Sequence, residues 1–346
     1  MARNDSRAEN HHYVPKMLLR NFVPNEAKEQ LFVFDKKLEK SFPSNVKNIA
    51  TERNFYDLSS PNGGGDLEAS LSEMEHKTAQ AFEKLLKERD LKVLTESDRS
   101  WIGVFIASQH VRVKNFREVI KDLNGKMVEK IRGMGGAPED VEGFQSIQTD
   151  DQIKEFSIYF LLKSLPEFSS LMLNKLWILF STDENDPFWI SDNPVTLHND
   201  LEFGPYGNIG LGVRGIQIHL PLSTTLMLAL WCPSYADQFI GAYDRALENK
   251  KRLEAQRVLG VSPYLNSIDR ELSALSGPLT RLAPLVVPMK EGVPSRASAE
   301  NVLFYNSLQA KWAERFVMSP KNDFQMVRRM LKEFPHTKRG MRATLD

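Results

Sequence analysis

The sequence contains one cysteine, no long apolar run and no excess of either charge. Cys232 is the only cysteine among 346 residues, so no disulfide can form within the chain, and we expect a reducing compartment, the cytoplasm. No apolar run approaches the roughly 18 residues of a membrane-spanning helix, and the first residues are polar, without the apolar segment of a signal peptide. We therefore expect no membrane partner. Lys and Arg together number 45, as do Asp and Glu, so any attraction to nucleic acid must come from a local basic patch.

Several cofactor-binding motifs are absent as well. The sequence has no phosphate-binding loop of the Gly-x-x-x-x-Gly-Lys-Ser/Thr type, no Gly-x-Gly-x-x-Gly following a strand, no His-Glu-x-x-His and no pairs of cysteines. These absences argue against a P-loop nucleotide hydrolase, a dinucleotide-dependent oxidoreductase and the common zinc sites.

Hydrophobic periodicity predicts an α+β protein. Apolar residues recur every three or four positions over 66–90 and 96–123, and their short connection predicts an antiparallel helical hairpin. Because helices and strands are segregated more than alternated, we expect a central helical hairpin packed with a small, mostly antiparallel sheet. Further helices are expected over 151–163, 234–256 and 297–312, and strands near 31–35, 176–181, 188–190, 215–220, 225–231 and 315–319.

We expect a single domain over residues 11–319, between tails at 1–10 and 320–346. Within it, residues 11–60 hold an N-terminal motif and a hairpin. Residues 66–175 are helical, and residues 176–319 combine sheet and helix.

Polar residues stand within the apolar face of the helix predicted over 96–123. At about 100° per residue, Gln109 and Arg112 fall among apolar positions such as Phe105, whereas His110 points elsewhere. A buried arginine is costly unless it is paired. Arg112 therefore either pairs with Glu75 or Glu68 of the preceding helix, which would lock the two helices together, or lines a polar site.

Two other segments carry candidate site residues. His11 and His12 are adjacent in an extended stretch, so their side chains point to opposite faces, and Pro15 suits the first turn of the helix that follows. Asp192 and Asn193 follow a short apolar strand. They are either active-site residues at the open end of that strand or turn residues that bond their own backbone.

These segments together resemble a bacterial family, domain of unknown function 4238, along residues 11–319. The resemblance implies that nine polar residues form a shared site, and it implies no activity. The residues implied are His11, His12, Tyr13, Arg20, Gln109, His110, Arg112, Asp192 and Asn193. The motifs that carry the resemblance are His11-His-Tyr-Val-Pro15, Leu19-Arg-Asn-Phe22, Asn48–Tyr56, Gln109-His-Val-Arg112, Phe188–Val195 and His219–Ser223.

Two functions from different classes fit these residues. The first is a hydrolase of an anionic or phosphoester substrate such as nucleic acid, with or without a divalent metal ion (Mn, Zn or Mg). The second is a non-catalytic binding or interaction protein, whose buried polar cluster is structural or holds a small anion. For the hydrolase we assign catalysis to His11, His12, Asp192 and Arg112, substrate binding to Tyr13, Arg20, Gln109, His110 and Asn193, and metal ligation to His12, Glu75 and Asp192.

Overall fold

The chain folds as an α+β protein in a computed structural model. The structure describes residues 10–24, 28–53, 64–142, 144, 147, 149–204, 207–259 and 265–342. The described helices are α1 Lys16–Leu19, α2 Gly64–Glu88, α3 Glu96–Val111, α4 Lys114–Gly133, α5 Asp150–Leu173, α6 Pro233–Val258, α7 Leu265–Glu291, α8 Ala299–Trp312 and α9 Gln325–Glu333. The described strands are β1 Asn10–His12, β2 Gln30–Asp35, β3 Lys40–Asn45, β4 Thr51–Arg53, β5 Leu176–Ser181, β6 Ile190–Ser191, β7 Thr196–His198, β8 Gln217–Pro221, β9 Leu226–Trp231, β10 Ser295–Arg296 and β11 Phe316–Ser319.

The described strands form three sheets instead of the one small sheet expected. Strands β1 and β4 form a two-stranded sheet, a five-stranded sheet has the order β10-β5-β9-β8-β7, and a four-stranded sheet has the order β3-β2-β11-β6. Every pair is antiparallel except β10 with β5. In the four-stranded sheet, the N-terminal hairpin β2–β3 pairs with β11, which lies far along the chain. This sheet therefore forms only when segments distant in the sequence come together.

Helices α2 and α3 form the predicted hairpin. Phe82 and Phe105 meet edge to face with ring centroids 5.5 Å apart, and Leu71 and Phe105 share one hydrophobic core. A capping box begins α3: the Thr95 hydroxyl accepts a hydrogen bond from the Asp98 amide, and the Asp98 carboxylate accepts one from the Thr95 amide.

The single helix expected over 96–123 is two helices. Helix α3 ends at Val111, Arg112 leaves the helical region (φ −82°, ψ 6°), and Val113 is extended (φ −85°, ψ 157°) before α4 begins. The break redirects the chain, so that Phe116 of α4 packs on Phe160 of α5 with centroids 5.3 Å apart. Hydrophobic periodicity continues across the break and gives no sign of it.

The chain beyond residue 319 differs from the tail that we expected. Helix α9 buries Val327 and Leu331 against Phe34 and Phe324. The Arg342 guanidinium donates to the Glu314 carboxylate at 2.8 Å, where the Glu314 side chain is 3% exposed. The described residues after 319 therefore pack against the body of the protein. The end of the Asn48–Tyr56 motif, from residue 54, lies outside the described residues.

Candidate functional site

A buried hydrogen-bond network ties the N-terminal motif to the helical hairpin. Arg112 is 4% exposed, and its Nη1 donates to Glu75 Oε1 of α2 at 2.8 Å. Arg112 Nε donates to Gln109 Oε1 at 2.9 Å, and Gln109 Nε2 donates to the Tyr13 carbonyl at 2.8 Å. Of the alternatives open for Arg112, pairing with Glu75 is the one observed, and this pair locks α2 against α3.

The two motif histidines lie on opposite faces of β1, as an extended strand requires. The His11 side chain is buried, with Nε2 3.6 Å from Glu68 Oε1. The His12 side chain is half-buried. Burial, followed by the nearby charge of Lys16, lowers the pKa of His12 to about 4, against the opposing effect of its bond to the Ile49 backbone. His12 is therefore neutral near pH 7.

Arg20 does not join this network. Its side chain is 53% exposed and its Nε donates to Glu29 Oε1 at 2.9 Å. It follows α1 in a short 3-10 turn, which carries the side chain outward while Phe22 of the same turn is buried. Arg20 therefore lies apart from the buried network of Arg112, Gln109 and Tyr13, with which it was expected to form a site.

The Asp192 carboxylate is bound by backbone amides. Asp192 is 1% exposed and accepts hydrogen bonds from the amides of Glu314 and Arg315, both at 2.8 Å, and of Phe316 at 3.0 Å. Burial raises the pKa of Asp192 to about 6, against the opposing effects of the Phe316 amide and the Lys36 charge. These contacts are those of an anchor that holds the connection between α8 and β11, not of a catalytic acid facing a substrate.

A buried lysine stands beside Asp192. The Lys36 ammonium donates to the Ala310 and Ala313 carbonyls at 2.7 and 2.6 Å, and the residue has no exposed surface. Burial lowers the pKa of Lys36 to about 8, against the charges of Asp192 and Glu314. Sequence reasoning missed this residue, because Lys36 follows the end of β2 and lysines there usually face water.

The metal ligands expected from the sequence are not gathered together. Within the described ranges, no group of three or more His, Cys, Asp or Glu side chains could hold a metal ion. Glu75 is engaged by Arg112 and Asp192 by three backbone amides. His12, Glu75 and Asp192 therefore do not form a ligand set.

His110 and Asn193 line a common cavity of about 290 Å³, which we call the motif cavity. Helix α3 supplies His110 from its last turn, and Asn193 follows β6. The motif cavity thus joins His110 and Asn193, which are 83 positions apart in the sequence. Its walls also include Asn115, Phe116, Trp312 and Arg342.

Four polar side chains lie on one face of the five-stranded sheet, which we call the polar face. Thr196 lies directly opposite His219, and His198 lies opposite Gln217; residues directly opposite one another in antiparallel strands share a face. Trp231 of β9 lies opposite Gln217 on its other side. Among the described residues, Thr196 Oγ1, both ring nitrogens of His219 and Trp231 Nε1 are buried without a hydrogen-bond partner. Such atoms are nearly always satisfied by water or a ligand.

A histidine–aspartate pair stands at the edge of the polar face. His198 Nε2 lies 2.8 Å from Asp200 Oδ1, and the two residues share a side of the extended chain because they are two positions apart. The other carboxylate oxygen, Oδ2, accepts from the Tyr235 hydroxyl at 2.5 Å and from Gln217 Nε2 at 2.9 Å. Burial alone would raise the pKa of Asp200, but the bonds from Tyr235, His198 and Gln217 hold it below its usual value. Asp200 is therefore a carboxylate at neutral pH and orients the His198 imidazole.

These residues open into a cleft of about 420 Å³, which we call the His198 cleft. Helix α8 covers His198 with the Phe304 ring, whose centroid is 4.9 Å from that of the imidazole. Arg281 of α7 is exposed, and Arg296 of β10 bonds Asp183 at 2.6 Å. The cleft therefore combines a histidine–aspartate pair, aromatic walls and two arginines. Its lining includes His198, Asp200, Gln217, Trp231, Tyr235, Arg281, Arg296, Phe304 and Tyr305.

Sequence reasoning missed the His198 cleft, although one signal was present. Gln217 and His219 alternate with Ile218 and Leu220 along β8, so the strand has a polar and an apolar face. A strand buried on both sides is apolar at every position. The alternation therefore indicates that one face of the sheet carries polar side chains with a functional role.

The chain belongs to a family described as a protein of unknown function (DUF4238), whose model matches residues 10–323. The match confirms the resemblance drawn from the motifs. No curated protein matches the chain, and no solved structure does. No helix in the described part of the chain is both long and apolar enough to cross a membrane.

Proposed function

We propose that this protein hydrolyses a small phosphoester or a similar organic anion in the His198 cleft. The observation that carries the proposal is the His198–Asp200 contact of 2.8 Å at the edge of an open cleft. A histidine held by a carboxylate is the usual device for taking a proton from a nucleophile. In this cleft the nucleophile is water.

The roles follow from the bonds that each residue makes. Asp200 accepts from Tyr235 and Gln217 on one oxygen and contacts His198 with the other, so its carboxylate is fixed and can stabilise an imidazolium. Burial, and then the bond to Asp200, raise the pKa of the Tyr235 phenol. Tyr235 therefore stays protonated and acts as a positioning residue.

Proton and bond changes balance without a further reactant. The water oxygen forms a bond to phosphorus while its proton passes to the His198 imidazole. The bond between phosphorus and the ester oxygen breaks, and the imidazolium returns the proton to that oxygen. The products are a phosphate and an alcohol.

Charge and shape favour an anion that carries an aromatic group. Arg281 is exposed and lines the cleft, and a guanidinium matches the geometry of phosphate oxygens. Arg296 also lines the cleft, but its charge is balanced by Asp183. Trp231, Tyr235 and Phe304 offer aromatic surfaces on which a ring would pack. A nucleotide or the end of a nucleic-acid strand has both features.

A hydrolysis screen of the purified chain tests the proposal. The probes are p-nitrophenyl phosphate, bis-p-nitrophenyl phosphate, p-nitrophenyl acetate and labelled single-stranded DNA and RNA, each with and without Mn²⁺ or Mg²⁺. We expect turnover of at least one phosphoester, and Arg281→Gln should raise its KM several-fold. The matched control is Arg270→Gln, an exposed arginine on the same helix. No turnover above the protein-free blank, or equal KM values for the two variants, would contradict the proposal.

A non-catalytic binding protein is the second candidate. It is favoured by the motif residues Arg112, Gln109 and Asp192, which bond chiefly to other parts of the protein. Binding of an uncleavable phosphonate analogue of p-nitrophenyl phosphate in the His198 cleft, together with no turnover of any probe, would support it. The cytoplasmic location expected from the single cysteine stays a prediction.

A further inference from the structure

A cleft of about 310 Å³ is lined by the turn that joins α2 to α3, the first turns of α3, the start of β5 and the end of α7. We call it the Arg99 cleft. All the charged side chains in its described lining are cations, and they come from all four of these segments. They are Lys92, Arg99, Lys175 and Lys290.

Three of these cations have no carboxylate partner in the described part of the chain. Lys290 bonds Asp244 at 2.5 Å, so its charge is balanced. Arg99 donates from Nη2 to the Leu91 carbonyl at 3.0 Å, which is a neutral acceptor. Lys92 and Lys175 make no side-chain hydrogen bond or ion pair with a described residue. The adjacent Asp90 carboxylate bonds the Lys92 amide and caps the turn, and it does not line the cleft.

A ligand in the cleft can reach these three cations. Lys92 is exposed, and Arg99 and Lys175 are half-buried. Arg99 Nε and Nη1 and the Lys175 ammonium make no hydrogen bond with a described residue, yet none of them is a fully buried atom. These donors therefore keep accessible surface on residues that line the cleft.

The unbalanced charge in the cleft calls for an anion. Burial lowers the pKa of Arg99, and it lowers the pKa of Lys175 against the opposing effect of the Cys232 thiol. Both shifts show that the protein itself does not compensate the buried part of these charges. Like charges that line one concave site also concentrate ions of the opposite sign there.

The position of the Arg99 guanidinium is fixed by its surroundings. It lies 5.2 Å from the centre of the Trp177 ring, and the Trp177 indole donates to the Met172 carbonyl at 3.0 Å. The Leu91 amide donates to the Gly292 carbonyl at 2.8 Å, which joins the turn before α3 to the end of α7. The remaining donors of Arg99 are therefore preorganised, and such a fork matches the oxygens of a phosphate group.

We propose that the Arg99 cleft binds a small anion of the phosphate type, either inorganic phosphate or the phosphate group of a small organic molecule. Arg99 donates to two of its oxygens, and the ammonium groups of Lys92 and Lys175 balance its charge. Leu176 and Met289 line the same cleft and offer apolar surface to an organic substituent. This inference does not depend on catalysis in the His198 cleft.

Calorimetric titration of the full chain tests the inference. The probes are inorganic phosphate and phenylphosphonate, which cannot be hydrolysed, at an ionic strength held constant with chloride. We expect the parent to bind one equivalent that Arg281→Gln, altered in the His198 cleft, also binds. The double variant Lys92→Gln/Lys175→Gln should bind that equivalent at least roughly 10-fold more weakly, the loss expected for one hydrogen bond between charged groups. The matched control is Lys77→Gln/Lys251→Gln, two exposed lysines outside the cleft, which should bind like the parent.

A thermal melt without phosphate separates binding from a structural role. Lys175→Met removes a half-buried charge that has no carboxylate partner and keeps a long side chain, so it should melt at or above the temperature of the parent. A lower melting temperature would assign Lys175 to the structure and overturn the proposal. No binding by the parent, equal affinities of the two double variants, or an equivalent that only Arg281→Gln loses would overturn it as well.

Discussion

Replacement of Asp192 by asparagine should unfold the protein at a much lower urea concentration. One carboxylate oxygen accepts a hydrogen bond from the Glu314 amide, and the other accepts from the Arg315 and Phe316 amides. The Asp192 side chain is buried, so water cannot replace these bonds. An asparagine has one accepting oxygen, and its NH₂ group would face amides that are themselves donors. The substitution also removes a negative charge from the surroundings of the buried Lys36.

An asparagine whose oxygen takes the place of Oδ2 keeps the bonds from Arg315 and Phe316 and loses the bond from Glu314. A hydrogen bond to a charged group contributes about 1.5–3 kcal/mol, so the loss of this one should lower the free energy of unfolding by at least roughly 1.5–3 kcal/mol. The measurement is urea unfolding followed by circular dichroism and by tryptophan fluorescence, with the midpoint and the slope fitted separately.

The control for this prediction is an aspartate on the surface. Asp237 lies exposed on α6, and Asp237→Asn should change stability by no more than about 0.5 kcal/mol. If Asp192→Asn unfolds at the same urea concentration as the parent protein, the carboxylate is not the anchor of the α8–β11 connection. The catalytic role that the sequence suggested for Asp192 would then be open again.

Two further predictions concern pH and the C-terminal segment. Burial lowers the pKa of His219 to about 3, below the usual 6.5 of an unfolded chain, so the folded state binds fewer protons and stability is lost as the pH falls below about 6.5; between pH 7 and pH 5 the loss is roughly 2 kcal/mol. Urea unfolding at the two pH values should show a loss that is about 2 kcal/mol larger in the parent than in His219→Leu, because His12 and His110, whose pKa values are also lowered, contribute equally in both proteins. An equal loss in both would contradict the assignment. Gly340→Ala would place a Cβ 2.0 Å from Asn115 Oδ1 and should destabilise the protein by about 1–3 kcal/mol. In contrast, a Cβ added at Gly125 would have no atom within 4 Å, so Gly125→Ala should stabilise α4 by about 0.5–1 kcal/mol. Thermal melts in which both alanine variants match the parent would refute the packing described for residue 340.

The hairpin and its buried ion pair could be predicted because they follow from local rules. Amphipathic periodicity places Phe82 and Phe105 on facing stripes, and a charge within such a stripe must find a partner. Spacing left Glu75 and Glu68 as the two candidates, and the structure selects Glu75. The hairpin and the need for a partner follow from sequence spacing alone.

Other features depend on contacts between segments that are distant in the sequence, so no short stretch of sequence predicts them. The polar face exists because β7 pairs with β8 in a register that sets Thr196 opposite His219, and that register is not encoded in either strand alone. Similarly, Arg342 finds Glu314 only after the C-terminal segment has returned to the core.

No helix is expected from the sequence over residues 265–291, where α7 lies. Helix α7 contains Pro278, Pro284 and Pro288, and proline within a helix usually breaks it. The packing of α7 against α6 and its burial of Val286 and Met289 offset that cost. Tertiary packing of α7 therefore outweighs the low helix propensity of its prolines.

The most direct test of the central claim is the turnover number of His198→Gln on the best phosphoester of the screen. Glutamine keeps a polar side chain in the cleft but cannot carry a proton between water and the leaving oxygen, so kcat should fall by about 10²–10⁴-fold with little change in the thermal melt. The control is His76→Gln, an exposed histidine on α2, which should retain the parent kcat. If His198→Gln retains the parent kcat as well, the His198 cleft is not the catalytic site.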